Sequence, residues 1–329
     1  MPQPTRSDVH VNVPLTQISI AFMQERGNMV ADRAFPNIPV VKQADRYYTY
    51  DRGMFNRDEM VKRASGTESQ GIGYTVDNTP SYFADVFALH HDVPDQVRSN
   101  ADSVIDPDRD ATMLLTYKAL IKRERTWSTR YLGASIWAND FAGVAGAPGA
   151  NQFKQWDQST STPIEDIRAA KTRVLGSTGF VPNKLVLDAR VWDTLLDHPE
   201  VIERIKFGQT APNPAMSSEQ IFAQLVGLDE ILVMRGIFNS AAENQANSHS
   251  FISGKHALLV YAAPNPGLMV PSGGYTFSWT GLLGAGPAGQ RITRFRMEWL
   301  KSDRIEIEMA YDQKLISNEL GQFFGSAIA

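Results

Sequence analysis

A chain of 329 residues with 43% hydrophobic and 21% charged side chains can bury the core of one large or two medium domains, which excludes global disorder. Its formal charge of −4 lacks the lysine and arginine excess of a protein that grips phosphates tightly. With no cysteine there is no disulfide, thiolate nucleophile, iron–sulfur cluster or cysteine-based zinc site.

The opening MPQPTRSDVHVNVP shows no basic-then-apolar signal, and apolar runs such as ALLVYAA at 257–263 are too short to span a bilayer, so a cytoplasm-like compartment and no membrane partner are expected. Residues 1–41 carry Pro2, Pro4, Pro14, Pro36 and Pro39 around one helix-like patch, LTQISIAFMQ, and read as an arm that cannot hold a core alone. From Asp45 to Pro80, Tyr48/Tyr50 and Ile72/Tyr74/Val76 alternate on either side of a charged, Gly/Ser/Thr-rich connection, which predicts a long hairpin with too few core residues to stand free in water. A helix is predicted at about 107–132: Asp106 suits its N-cap, Pro107 its first position, and Asp108 and Asp110 its dipole. The Gly/Ala-rich stretch 133–151 reads as a connector or hinge.

Beyond it, TPIEDIRAAKTRVLGS, NKLVLD, ARVWDTLLDHPEVIERIKF split at Pro199, SSEQIFAQLVG, EILVMR and HALLVYAA alternate helix and strand around an expected central sheet, with a polar loop between Gly236 and Gly254. Near the end, Gly284, Gly286 and Gly289 match G-x-G-x-x-G, the pattern that cradles a pyrophosphate at a helix N-terminus. The chain after Gly289 has period two: Phe295, Met297 and Trp299 alternate with Arg294, Arg296 and Glu298, and Ile305, Ile307 and Met309 with Arg304, Glu306 and Glu308. That predicts a β-hairpin, with arginines facing glutamates across its outer face, and makes the glycines a corner. A flavin or nicotinamide oxidoreductase using those three glycines is the competing reading from a different class, and no cofactor is expected.

Other chemistry is thin. His90-His91-Asp92 sits on an apparent strand, where neighbours face opposite ways, and His198, His249 and His256 lack metal-site spacing. No G-x-S-x-G elbow or phosphate loop occurs. Asp58-Glu59 and Asp229-Glu230 read as exposed loop charge, and Lys122-Arg123-Glu124-Arg125 as the solvated face of a helix. An arm, a hairpin and a rod that cannot stabilise themselves, with no catalytic constellation, point to a non-enzymatic assembly protein.

The stretch MVADRAFPNIPVVKQADRYYTYDRGMFNRDEMVKRASGTES resembles the arm-to-hairpin region of tailed-bacteriophage major capsid proteins of the Hong Kong 97 type. KLVLDARVWDTLLDHPEVIERIKF, then EILVMRGIFNSAAENQANSHSFISGKHALLVYAAPNPGLMVPSGGYTFSW, then the C-terminal hairpin resemble the same family in the same order. The resemblance implies an α+β capsid fold: an N-terminal arm (1–41), an extended β-hairpin loop (42–82), a peripheral domain (83–160 and 290–329) built on a spine helix at about 107–132, and an α/β axial domain (161–289). It implies self-assembly into pentamers and hexamers of an icosahedral head around double-stranded DNA, contacted weakly and non-specifically. A separate scaffolding protein, a portal and a decoration protein are the implied partners, the host cytoplasm the place of assembly and the virion the destination. Arg57, Asp58, Glu59, Lys62 and Arg63 at the loop tip are the expected subunit-interface residues. A relative forms a lysine–asparagine isopeptide bond from this loop, but no partner for Lys62 is recognisable and no cross-link is expected. A non-viral nanocompartment shell is the alternative of the same fold.

Overall fold

The computed structural model describes residues 24–101, 105–207, 219–267, 269–284 and 289–329; all but the last residue of the helix-like patch at 15–24 lies outside them, as does Gly286. In the arm, α1 (Ala31–Ala34) and β1 (Asn37–Val40) are followed by the loop elements β2 (Ala44–Arg46), β3 (Thr49–Tyr50), α2 (Arg52–Phe55), β4 (Val76–Asp77) and β5 (Ser81–Phe83). Then come β6 (Asp85–Pro94), α3 (Asp95–Asn100), the 25-residue α4 (Pro107–Tyr131), β7 (Asn139–Val144) and β8 (Gln152–Lys154). The α/β run holds α5 (Pro163–Thr178), β9 (Lys184–Asp188), α6 (Ala189–Leu196), α7 (Pro199–Phe207), α8 (Glu219–Val226), β10 (Glu230–Met234), β11 (Ile237–Asn239), β12 (His249–Phe251) and β13 (Ala257–Val260). β14 (Gly274–Trp279), α9 (Thr280–Leu283), β15 (Gln290–Met297), β16 (Ser302–Leu315) and β17 (Gly321–Gly325) complete the chain.

Two sheets share one helix. The first runs β1-β14-β16-β15, with β6 on the other edge of β16; the second runs β10-β9-β13-β17-β7-β8. Helix α4 begins as its sequence requires, with the Asp106 carboxylate accepting from the Asp108 and Arg109 amides. Its buried side chains Ala111, Leu115, Ala119, Arg123, Trp127 and Tyr131 recur every four residues. At about 100° per residue, each such step advances the stripe by about 40°, so over five steps the buried face turns by about 200°. One end of the rod therefore faces one sheet and the other end the second: Ala111, Leu115 and Ala119 pack on Ile305, Ile307, Met309 and Tyr311, whereas Trp127 and Tyr131 pack with Val186, Leu232, Leu258 and Phe323. On its other face the second sheet buries Trp156, Ile164, Leu185, Phe222, Val233 and Phe324.

The expected domain limits at 160 and 289 do not follow the sheets. β7, β8 and the terminal β17 join β9, β10 and β13, while β14 joins β15 and β16. The Gly/Ala connector is likewise not simply a hinge, because β7 lies inside it and pairs parallel with β17. A Cβ on Gly143 would fall 2.1 Å from the Ser326 carbonyl oxygen, so glycine there admits the C-terminal backbone. The long hairpin reduces to two short ladders, β2–β5 and β3–β4, since the Gly/Ser/Thr-rich segment before Val76 presents few side chains to pair. The polar loop after Gly236 contains the antiparallel pair β11–β12.

Phe35 joins arm, helix and sheet: it is fully buried, edge-on to Trp127 at 5.5 Å and tilted against Tyr131 at 4.7 Å. Phe35→Ala removes this anchor and is expected to lower unfolding stability by about 3–5 kcal/mol, read from denaturant unfolding monitored by tryptophan fluorescence.

Candidate assembly surfaces

The extended loop stands on an aromatic foot. Tyr82 stacks on Phe277 with centroids 4.6 Å apart, Tyr47 stacks on the same ring at 5.7 Å, and the Phe83 amide donates to Asp312. Farther out, Tyr50, Phe55 and Tyr74 form a small cluster, and Arg52 pairs with Glu319. Beyond these contacts the loop exposes an apolar set that the described residues do not cover: Tyr48, Val61, Ile72 and Tyr74 are exposed, and Met60 is 97% exposed. The five residues expected at the interface lie here. Arg57 and Glu59 come within 3.8 Å, while Asp58, Lys62 and Arg63 have no ion-pair partner among the described residues.

The arm is tied to α4 by buried charge. The Glu124 carboxylate, 1% exposed, accepts from the Val30 amide through both oxygens at 3.0 Å and from the Ala31 amide at 2.8 Å, capping the N-terminus of α1. Arg123, 2% exposed, pairs with Asp32 at 2.5 Å and lies over the Tyr311 ring. The expectation of a solvated Lys122–Arg125 face is therefore wrong for its two central residues; the four-residue stripe that starts at Ala111 already passes through position 123. Gln24 adds a second tie, its side-chain amide donating to the Ile237 carbonyl at 2.7 Å and accepting from the Ile237 amide at 2.8 Å. Glu230, expected as loop charge, is on β10 and pairs with Arg33 and Lys184.

A second charged network locks α3, α4 and the β15–β16 hairpin. Arg98 reaches Asp108 at 2.8 Å and Asp303 at 3.0 Å; Arg294 reaches Asp108 at 3.3 Å and also bonds Asp303; Arg296 reaches Asp95 at 2.5 Å and Asp303 at 3.3 Å. Arg294 and, less strongly, Arg296 hold the Asp303 carboxyl below its usual range, and Arg296 does the same for Asp95. Of the expected arginine–glutamate pairs across the hairpin, Arg291–Glu308 forms at 2.6 Å. Arg294 and Arg296 instead stand opposite Ile305 and Asp303, on the face toward α4, where the aspartates draw them, and Phe295 is left exposed.

The remaining motifs have structural explanations. Gly289, at φ +64°, leads directly into β15, so among the described residues a strand and not a helix follows the last glycine of the pattern. His90 stands opposite Glu306 and His91 opposite Ile305, on different faces of the sheet, while Asp92 makes a bidentate pair with Arg304. A buried Ser161–His198 contact of 3.0 Å looks like half a catalytic pair, but the His198 Nδ1 accepts from the Glu200 amide. The ring proton is then on Nε2 and points at the serine, the reverse of a general base. No helix among the described residues is long and apolar enough to cross a membrane.

The model of the family described as phage major capsid protein E matches residues 146–269. A curated relative, the major capsid protein of Pseudomonas phage JBD67, is 27% identical over 322 residues, covering 97% of each chain. The crystal structure of a phage-related protein from Bordetella bronchiseptica RB50 superposes with a TM-score of 0.67 at 20% identity over 92% of this chain and 93% of that one. The capsid structure of cyanophage P-SCSP1u gives 0.62 at 9% identity over 97% and 93%. The chain has the Hong Kong 97-type capsid fold. It resembles phage major capsid proteins along nearly its whole length. The fold is shared with the SrpI encapsulin of Synechococcus elongatus PCC 7942, with a TM-score of 0.58 at 11% identity over 96% and 92%. Within this capsid fold the extended loop leaves the first sheet, to which the strap of residues 24–41 contributes β1 and the C-terminal hairpin contributes β15 and β16.

Burial pushes the Glu124 carboxyl up to about 7 against the hydrogen bonds that favour its ionised form. A carboxyl raised on folding contributes stability that is present below its unfolded value near 4.5 and lost as pH rises through about 7. Stability is expected to fall by about 3 kcal/mol between pH 4.5 and 7.5 through this group. Glu124→Gln should remove that part of the slope in denaturant titrations across the window.

Proposed function

We propose that this chain is the major capsid subunit of a tailed phage, assembling into the pentamers and hexamers of an icosahedral head that encloses double-stranded DNA, and that it is not an enzyme. The observation that carries the reading is the exposed apolar loop at 42–82 on a capsid fold: side chains such as Met60 and Ile72 gain burial when a neighbouring copy covers them. One chain can build a closed shell by repeating the same heterologous contacts around symmetry axes. Residues 1–41 act as the arm, 42–82 as the extended loop, and the two sheets carry the peripheral and axial parts, with β14 and β17 crossing between the expected limits. The acidic balance of the chain suits a container that confines DNA by closing around it, touching it weakly. A separate scaffolding protein, a portal and a decoration protein complete the head, which is built in the host cytoplasm and ends in the virion.

The encapsulin of the same fold favours a second reading, a nanocompartment shell, which differs in what is enclosed. Arg57, Asp58, Glu59, Lys62 and Arg63 pair with charges on adjacent copies; each exposed pair is worth about 0–1 kcal/mol, multiplied over the shell. Lys62 forms no covalent cross-link.

Negative-stain electron microscopy of the protein expressed with and without its neighbouring genes tests the reading. Shells, tubes or rings of five and six are expected, with nuclease-protected DNA in the particles made with the neighbouring genes. A variant neutralised at all five loop positions should assemble less completely at low salt, and mature particles should run as monomers in denaturing electrophoresis. A uniform small oligomer would overturn the assembly reading, and shells that hold a protein cargo and no DNA would favour the nanocompartment.

A further inference from the structure

The tip of the β15–β16 hairpin displays an indole to solvent. Trp299 is 83% exposed and Leu300 beside it is also exposed, an unusual position for two large apolar side chains. The tip is nevertheless held in shape. Lys301 has a left-handed backbone at φ +48°, its carbonyl accepts from the Asp95 amide at 3.0 Å, and Arg296 fixes Asp95 through both carboxylate oxygens at 2.6 and 2.5 Å. The Lys301 ammonium has no ion-pair partner among the described residues.

Farther along the same hairpin, a groove of about 370 Å³ opens between the first turns of α4 and the edge strand β15. Met113, Ile292 and Ile305 give it an apolar floor, with Met113 and Ile292 still exposed. At its lip stand Asp106, whose carboxylate caps α4 but meets no cation among the described residues, and Arg109 and Arg294, each already paired with other aspartates. Tip and groove are thus complementary in two respects, an indole for an apolar cleft and a free ammonium for an acid without a cation. Within one subunit they stay apart, since Trp299 remains in solvent.

We propose that the hairpin tip of one copy inserts Trp299 into the α4–β15 groove of a second copy, with Lys301 against Asp106. The contact is heterologous, because each copy offers both a tip and a groove, so it propagates from copy to copy and closes as a ring where its rotation divides a full turn. It rests on the shell reading for its biological use, but involves surfaces separate from the extended loop. The network of Arg98, Arg294 and Arg296 with Asp95, Asp108 and Asp303 then has a purpose: it holds tip and groove in one frame, so that the contact forms at a reduced backbone ordering cost.

The absence of cysteine in the chain makes the test direct. The pair Leu300→Cys and Met113→Cys places one thiol at the tip and one in the groove, and a short bismaleimide links them only between copies. A ladder of covalent oligomers at least tenfold stronger than in either single variant, or in a control pairing Leu300→Cys with Val181→Cys, is expected. Trp299→Ala in the same pair should reduce the ladder about tenfold while leaving the melting temperature of the unassembled protein unchanged. Lys301→Asp should weaken it similarly, and less so when Asp106→Asn, which keeps a capping side chain, removes the repulsion. Shells without a specific ladder would overturn the contact and leave the shell reading standing. A ladder in a protein that forms no shells would uphold the contact and overturn the shell reading, and the absence of both would overturn both.

Discussion

A carboxylate buried against the start of a four-residue helix organises this subunit. Glu124 takes up the Val30 and Ala31 amides, which no described residue of the arm satisfies, and the arm covers the carboxylate from water. Neither side is well off without the other. The consequence reaches both sheets, because the strap fixed at Val30 places Phe35 between Trp127 and Tyr131 and then runs as β1 alongside β14. Arm, helix and the two sheets become one frame through a segment that could not fold alone.

The frame explains why the long helix carries charge in its buried stripe. A four-residue repeat turns around the rod, so its middle faces neither sheet squarely but the seam between them, where the arm passes. There the helix presents polar side chains that the arm engages: Glu124 receives the Val30 and Ala31 amides, and Arg123 pairs with Asp32 while lying over Tyr311. At the other end of the helix the arginine–aspartate network does similar work in water, holding the hairpin to α3 and α4. The frame is thereby stiff where it is internally closed, and its open surfaces are the loop, the hairpin tip and the groove.

Much of this is legible in residue order. The spine helix announces itself through Asp106-Pro107 and its acidic first turn, and the C-terminal hairpin through period two on both sides of Lys301. The glycine pattern at 284–289 reads as a corner because the alternating residues after it predict a strand, and β15 does begin at Gln290. Three things stay hidden for physical reasons. Alternation shows that a strand has two faces but not which one meets the core, so it places Arg294 and Arg296 outward although the aspartates of α3, α4 and β16 draw them inward. A charged run looks solvated unless the four-residue stripe and the row beside it, Glu124 and Ser128, are followed through it, and this conceals Arg123 and Glu124. Sheet partners far apart in sequence, such as β17 beside β13 and β7, leave no local trace, so linear domain limits cut across both sheets.

The subunit is thus a closed frame bearing surfaces that its described residues do not cover, on a fold shared with phage capsids and an encapsulin. Under the proposed function, neighbouring copies supply that cover. Hydrogen–deuterium exchange of residues 42–82, compared between unassembled protein and assembled particles under the same conditions, tests it most directly. Amides around Phe55, Met60 and Ile72 should exchange freely in the unassembled subunit and become strongly protected in the particle. Equal exchange in both states would contradict the account.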